Sequence, residues 1–451
     1  MASTTLTRTP SSAGNQKTWT LSAWVKNSYG GMFFCVDSHG ATKSIQCDLY
    51  QTADFLEIAQ YASGSGAWSL KTNRLFRDRN AWYHIVLSVD TTQATSSDRV
   101  KIYINGVRET SFSTETYPSQ NYDTGANSAV THMIGNRPSS SAYFNGLMTH
   151  FHFIDGTAYD ASAFGETDAT TGIWKPKTAP SVTYGTNGFF LKFENSGSMG
   201  TDSSPNVNNF TVNGTMTQTV DTPSNVFATF NVLVPSNNQL TLKNGNLFVY
   251  DNSNNLWAST PATLGATSGK WYWEFKDENA WGTTSDSTRR YGICDLNTIP
   301  STLGTSADAR YSDTTSAYAY MNTSGVRYNG STIAGTTSTY PTFSPTDIIQ
   351  VAMDLDNYKL YFGKNGTWLN SSDPANGTNP VATLSSTATW SPYVETKYGS
   401  DRVSANFGNG YFGTTAVASA GSNGNGAIFE YDVPTGYYAL NTKNINEQEY
   451  D

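Results

Sequence analysis

Charge is scarce in this chain. Only 14% of its 451 residues are Asp, Glu, Lys or Arg, and the balance is acidic, with a formal net charge of −9. Nowhere do Lys and Arg cluster, which excludes a surface that gains affinity for nucleic acid by releasing phosphate counterions. Cysteine is scarcer still. Cys35, Cys47 and Cys294 are an odd set without CxxC spacing, so buried, reduced thiols are expected rather than a disulfide framework or a thiolate metal site. No run approaches the roughly 18 apolar residues a membrane-spanning helix needs. The opening MASTTLTRTPSSAGNQ also has no apolar core of a secretory leader, so synthesis in a cytoplasm is expected. Helical periodicity is missing beyond a turn or two, such as Ala161 to Phe164.

What the chain has in abundance is uncharged polarity and aromatic rings. Tracts of Ser, Thr, Asn and Gly take over the solvation that charge usually provides. These residues favour turns and, for Thr, strands over helices. Several Asn-x-Ser/Thr sequons, at Asn209, Asn213, Asn322, Asn329 and Asn365, are a by-product of that composition. Aromatics reach 13%, with 27 Tyr and 11 Trp.

Where the sequence is apolar enough to show a period, the period is two. Trp19, Leu21, Ala23 and Val25 fall on one side of a predicted strand, with Thr20, Ser22, Trp24 and Lys26 on the other. Ile85, Leu87 and Val89 define a second strand, and Val100, Ile102 and Ile104 a third. Asn105-Gly106 follows at once and accepts the positive φ angles of a two-residue hairpin. The same device recurs downstream. A strand from Ile348 to Leu355 is followed by Tyr358, Leu360 and Phe362 on one face, and Asn365-Gly366 makes the turn. The repetition points to two domains of one architecture, or to convergence on a common hairpin. Gly and Pro between 165 and 188, and a Pro/Asn-containing stretch from 222 to 238, mark boundaries.

The strand sequences WTLSAWVK (from Trp19), AWYHIVLSVD (from Ala81), VKIYINGV (from Val100) and NGLMTHFHFIDGTAYD (from Asn145) resemble, in order, those of a laminin-G-like, concanavalin A-type jelly roll. SGKWYWEF (from Ser268), RYGICDL (from Arg290), FSPTDIIQVAMDLDNYKLYFGKNG (from Phe343), WSPYVE (from Trp390) and SANFG (from Ser404) resemble the landmarks of a SPRY domain. The pairing, with FIDGTAYDASAFGE, YGTNGFFLKFE and a DSS…NNFTVNG segment between, is similar to virion proteins of tailed phages, especially those of marine bacteria. The fold class expected is therefore all-β, with two tandem β-sandwiches. Residues 1–165 would form the concanavalin A-like jelly roll and 166–225 a linker with additional strands. Residues 226–413 would be the SPRY-type bent sandwich, and 414–451 a C-terminal linker and docking segment.

The resemblance implies a virion protein, a tail fibre or tail-tip adhesin contributing to recognition of host-surface glycan. The alternatives are a capsid or tail decoration protein without receptor binding, or a free lectin-like module. Implied partners are other virion proteins, further copies of the chain (a homo-oligomer, with a trimer as one form) and host polysaccharide, but neither nucleic acid nor membrane. No enzymatic activity, cofactor or metal is expected. Retaining and inverting glycosidases alike need two carboxylates across one cleft, whereas Asp277 and Glu278 are adjacent and would face opposite sides of a strand.

Individual candidates remain. His150 and His152 would share a strand face, as metal ligands could, although a hydrogen-bonded pair is the plainer reading. Asp90, Asp98 and Asp123 are loop acids of the kind that bind calcium or are simply solvated. KNGTW (from Lys364) resembles a sialidase turn without its leading acid. Most of Trp24, Trp68, Trp82, Trp257, Trp271, Trp273 and Trp368 should pack in the core or at its rim. Tyr311 to Tyr320 and Asp277 to Trp281 are predicted surface loops with the aromatic and polar content of a sugar site.

Overall fold

The computed structural model describes residues 4–37, 44–50, 53–63, 65–138, 142–169, 172–234, 240–252, 256–278, 288–299, 310–314 and 317–450. The chain divides into two compact units, Met1–Gln218 and Thr219–Asp451. Both are all-β sandwiches.

In the first unit the two layers are joined by one long strand, Thr18–Val36. Its first half lies between Trp82–Asp90 and Asn145–Asp155, and its second half between Ser44–Leu49 and His132–Ile134. A strand changes sheets only where its backbone can bend sharply. Here the bend falls at Gly30 and Gly31, whose φ angles are 88° and 114°. A Cβ on Gly31 would sit 2.2 Å from the Tyr143 carbonyl oxygen. Gly31→Ala is therefore expected to destabilise the first unit by at least about 2 kcal/mol, from φ strain and collision together. A denaturant midpoint that moves down with an unchanged slope would check this, and an unmoved midpoint would contradict it.

Alternation sorts the side chains as the sequence predicts. Trp19, Leu21, Ala23 and Val25 meet Ile85, Leu87, Val89, Val100, Ile102 and Ile104 between the layers, where each large side chain contributes roughly 1.5–3 kcal/mol. The opposite face of the same sheet is also covered. Val86 and Ile154 lie beneath Ala161, Phe164, Trp174 and Tyr184, which the chain lays across the sheet after leaving Asp155. The short helix there, Ala161–Ala163, is a single 3₁₀ turn.

The second unit is also two-layered, but its layers are separate sheets. Lys270–Asp277 lies between Ile348–Asp354 and Arg402–Asn406 in one sheet. Trp390–Thr396, Arg290–Asp295 and Ala317–Met321 run side by side in the other. Trp271, Trp273 and Phe275 face Tyr291, Ile293 and Val394 across the core. Tyr438–Ala439 pairs in parallel with Trp271 and Tyr272. The preceding segment is clamped by Glu274, whose carboxylate accepts the backbone N–H of Glu430 at 2.9 Å and of Tyr431 at 2.8 Å.

Both Asn-Gly hairpins form, and they share more than a turn type. Asn105 and Asn365 have φ of 48° and 50°, and Gly106 and Gly366 of 84° and 83°, as a type I′ turn requires. In each, the Asn also bridges to the neighbouring strand through both its backbone and its side chain. Asn105 donates its N–H to the His84 carbonyl at 2.9 Å and accepts the His84 N–H on Oδ1 at 2.8 Å. Asn365 does the same with Ile348, at 2.9 and 2.8 Å.

Candidate functional site

At the end of Asn145–Asp155, the Asp155 carboxylate organises three separate stretches of chain. Oδ1 accepts the Asn15 backbone N–H at 2.8 Å and also the Asn127 side-chain amide, while Oδ2 accepts the Asn187 N–H at 3.1 Å. Asn127 is fully buried, with φ of 62°. Its Oδ1 accepts from Asn187 Nδ2 at 2.9 Å, and its backbone N–H donates to His132 Nε2 at 3.1 Å. Because Nε2 accepts, the imidazole proton sits on Nδ1, which donates to the Val130 carbonyl at 2.9 Å. Burial lowers the His132 pKa to about 4 and keeps the ring neutral.

This network ends on a guanidinium. Arg8 Nη1 donates to the Asn187 carbonyl at 3.2 Å and Nη2 to Asn208 Oδ1 at 2.5 Å. Asn208 belongs to a loop built on Asp202. That carboxylate takes the N–H of Phe190 and Ser204 on Oδ1, each at 2.8 Å. On Oδ2 it takes the Ser204 hydroxyl at 2.8 Å and the Asn208 N–H at 2.6 Å. The loop is thus fixed from inside by a 5%-exposed acid.

Arg8, Val207, Asn208 and Asn209 form part of the wall of an open groove of about 560 Å³, completed by the threonines at 7, 9, 131 and 211. None of these residues is acidic. The groove offers hydroxyls, amides and one guanidinium, which can bind and orient a polar ligand but supply neither a nucleophile nor an acid–base pair. A second, smaller depression is lined by Gly14, Asn15, Gln16, Lys17 and Asp123.

Of the candidates named from sequence, Asp123 lines this second depression and the others fall elsewhere. In the Asn145–Asp155 strand a bulge places His150 and Phe151 opposite Ala23, and His150 has φ of 46°. Phe190 packs against both histidines, at 3.8 Å from the His152 ring and 5.8 Å from His150. His152 Nδ1 meets the Tyr184 hydroxyl and His150 Nδ1 the Thr149 hydroxyl, each at 3.0 Å. Among the described residues, no three His, Cys, Asp or Glu side chains are gathered as metal ligands would be. Asp90 caps its own loop, accepting the Thr92 hydroxyl at 2.6 Å and Gln93 Nε2 at 2.6 Å. Asp98 pairs with Lys101 at 3.2 Å and Asp123 with Lys17 at 3.9 Å. Asp277 is committed to Arg289 at 2.9 Å. Lys364 of KNGTW pairs with Asp347 at 3.6 Å at the hairpin already described. All three cysteines are buried free thiols.

The predicted aromatic surface loops need correction. Ala317–Met321 is an interior strand, bonded on both sides, and Tyr320 is wholly buried against Tyr340 and Phe343. Tyr311 is also buried, stacked on Tyr393. Period-two alternation was present in this stretch, but the surrounding Ser and Thr disguised it. Of the second stretch, Asp277 is buried, and 279–281 lie outside the described residues, as do 315–316 of the first. Among the tryptophans, Trp24, Trp68, Trp82, Trp257, Trp271 and Trp273 are buried, and Trp368 is half-buried against Tyr272.

Sequence reasoning missed Asp155, Asn127, Asn187 and Asp202 as organisers. The signal was present only as short turn sequences, Asp155-Gly156, Asn187-Gly188 and Asp202-Ser-Ser, which say that the chain bends but not what it bends around.

Residues 2–163 match the family model described as the concanavalin A-like lectin/glucanases superfamily. Similar solved structures include the SPRY domain of human HERC1, at 19% identity and a TM-score of 0.29, over 39% of this chain and 96% of that one. A second human SPRY domain matches at 14% identity and a TM-score of 0.27, over 37% and 94%. The native heptameric SAP-like pentraxin from Limulus polyphemus matches at 13% identity and a TM-score of 0.26, over 35% and 72%. No curated protein sequence matches significantly.

Proposed function

We propose that this chain is a non-catalytic structural protein of a bacteriophage virion, a tail fibre or tail-tip adhesin whose first sandwich binds glycan on the host surface. The observation that carries the binding half is the groove beside Arg8. Its polar groups are set in place by a buried network before any ligand arrives, so little ordering entropy is lost on binding. The match of residues 2–163 to a lectin and glucanase superfamily supports the same reading. Against a hydrolytic role stands the groove's composition, since bond cleavage at a glycosidic centre generally needs two carboxylates and none of the described residues that line it is acidic. The virion assignment is supported by the order of sequence landmarks across both units. Exposed sheet edges favour assembly with further copies and with other virion proteins.

The test has two arms. Purified particles are imaged with a labelled antibody against this chain, and the recombinant protein is titrated with oligosaccharides from the host envelope. Label at the tail together with saturable glycan binding is the expected result. Particles without label would remove the virion role, and labelled particles whose protein binds no glycan would remove the adhesive one.

A further inference from the structure

We infer that the groove beside Arg8 receives a carboxylate-bearing saccharide, a uronic- or sialic-acid-type residue of an acidic polysaccharide; the inference rests on the glycan-binding reading above and names its ligand class. Charge is the first reason. The chain as a whole is acidic, at −9, yet among the described residues the only ionised side chain lining this groove is a cation. Arg8 is held by two hydrogen bonds, to the Asn187 carbonyl and Asn208 Oδ1. A guanidinium has five N–H donors in a planar fork, so donors remain after anchoring, in the geometry that suits a carboxylate. The nearby Asp202 carboxylate acts on Arg8 through its charge, but its oxygens are bonded to donors of their own loop and leave the spare guanidinium N–H groups to a ligand.

The second reason is the loop that forms the wall. Val207 is 66% exposed and has φ of 58°. A β-branched residue in the left-handed region costs about 1–2 kcal/mol, and here no burial offsets it. The loop imposes the conformation by fixing Asn208 and Ser204 to Asp202. What the strain secures is an apolar side chain standing at the rim of a polar groove, where it can cover the C–H face of a sugar ring. Thr9 and Thr131, whose hydroxyls lie 3.1 Å apart, supply donors and acceptors for ring hydroxyls beside it. The loop lies beyond residues 2–163, whereas Arg8, Thr9 and Thr131 lie within them, so the groove joins the matched region to the segment that follows it.

Isothermal titration of the full chain with trigalacturonate and with its carboxyl-reduced, neutral counterpart tests this, alongside Arg8→Gln and Val207→Gly. Wild type is expected to bind the acid, and Arg8→Gln to weaken it ten- to a hundredfold, the range of a charge-assisted hydrogen bond. Reducing the carboxyl should weaken wild type by a similar factor but leave Arg8→Gln unaffected, since both changes remove one interaction. Val207→Gly relieves the backbone, so its thermal midpoint should hold or rise while affinity falls several-fold. That variant keeps the test valid should Arg8→Gln fold poorly. Equal affinity of wild type for the acid and its neutral counterpart would overturn the inference, as would an Arg8→Gln loss identical for both ligands. Binding of neutral host glycans without trigalacturonate would overturn it too, and would leave the glycan-binding reading standing. Failure to bind any glycan would remove both.

Discussion

Replacing Arg289 with methionine is expected to destabilise the second unit by roughly 3–5 kcal/mol, the usual cost of stranding buried charge. Arg289 donates from Nε to Asp277 Oδ2 at 2.9 Å and from Nη1 to Asp401 Oδ1 at 3.4 Å. The three side chains are 1%, 0% and 1% exposed. Methionine fills much of the space but removes the cation that both carboxylates face. For a unit of this size the loss corresponds to a fall of about 6–20 °C in thermal midpoint. The variant should also acquire a new pH dependence. Burial already pushes the Asp401 carboxyl up, while the Tyr398 and Lys397 N–H groups and Arg289 hold it down. Without Arg289 the folded-state value rises further above the unfolded one. The contribution is then favourable at low pH and lost as pH rises, so the deficit should be larger at pH 8 than at pH 5. Replacing all three residues with apolar side chains of matching volume should restore most of the stability. Amide exchange in Lys270–Asp277 and Arg402–Asn406 reads the effect locally. A midpoint within about 2 °C of wild type would show that the triad is not holding these strands together.

The layers of both sandwiches were legible in sequence because a strand's two faces are recorded in adjacent residues. Trp19, Leu21, Ala23 and Val25 need only each other to reveal an inward face, and Asn105-Gly106 needs only itself to announce a turn. The binding groove was not legible for the converse reason. Arg8, Asn187 and Asn208 meet across separations of 179 and 200 residues, and no local period encodes such a meeting. His150 and His152 show a subtler failure. Their spacing is that of one strand face, but the bulge at His150 inserts an extra residue between them and the regular ladder, and bulges depend on the partner strand as much as on the bulged one. Tyr318 and Tyr320 went astray through composition. Their neighbours are Ser and Thr, which solvate a loop but also line the ends of an interior strand.

Acid is expected to unfold the first unit before the second. All five histidines, at 39, 84, 132, 150 and 152, belong to the first. His84 lies between Trp24 and Trp174, at ring separations of 4.7 and 6.0 Å, and accepts the Trp174 indole N–H on Nδ1 at 3.0 Å. Burial lowers its pKa to about 3, lowers His132 and His150 to about 4, and takes His152 well below the ordinary value. An unfolded histidine takes its proton near pH 6.5. The folded state therefore loses nothing above about pH 6.5, and it falls behind the unfolded state as pH drops towards the folded values. Four withheld protons correspond to about 5.5 kcal/mol per pH unit. Asp48 opposes them. Burial raises its carboxyl to about 6, so the folded state takes that proton first, which brings the slope to about 4 kcal/mol per unit. From pH 6.5 to 4 this removes about 10 kcal/mol, so of a typical stability of roughly 5–15 kcal/mol the first unit should lose most of its margin by about pH 4. The second unit moves the other way. It has no histidine, and burial raises Glu274 to about 7, so that group's contribution grows as pH falls from 7 towards 4.5. Amide exchange at pH 7, 5 and 4 should show Trp82–Asp90 losing protection while Ile348–Asp354 keeps it. Replacing His84 and His152 together with phenylalanine should remove about two protons from the slope. Simultaneous loss of both strands, or a slope indifferent to that double replacement, would mean that the buried imidazoles do not set the acid limit.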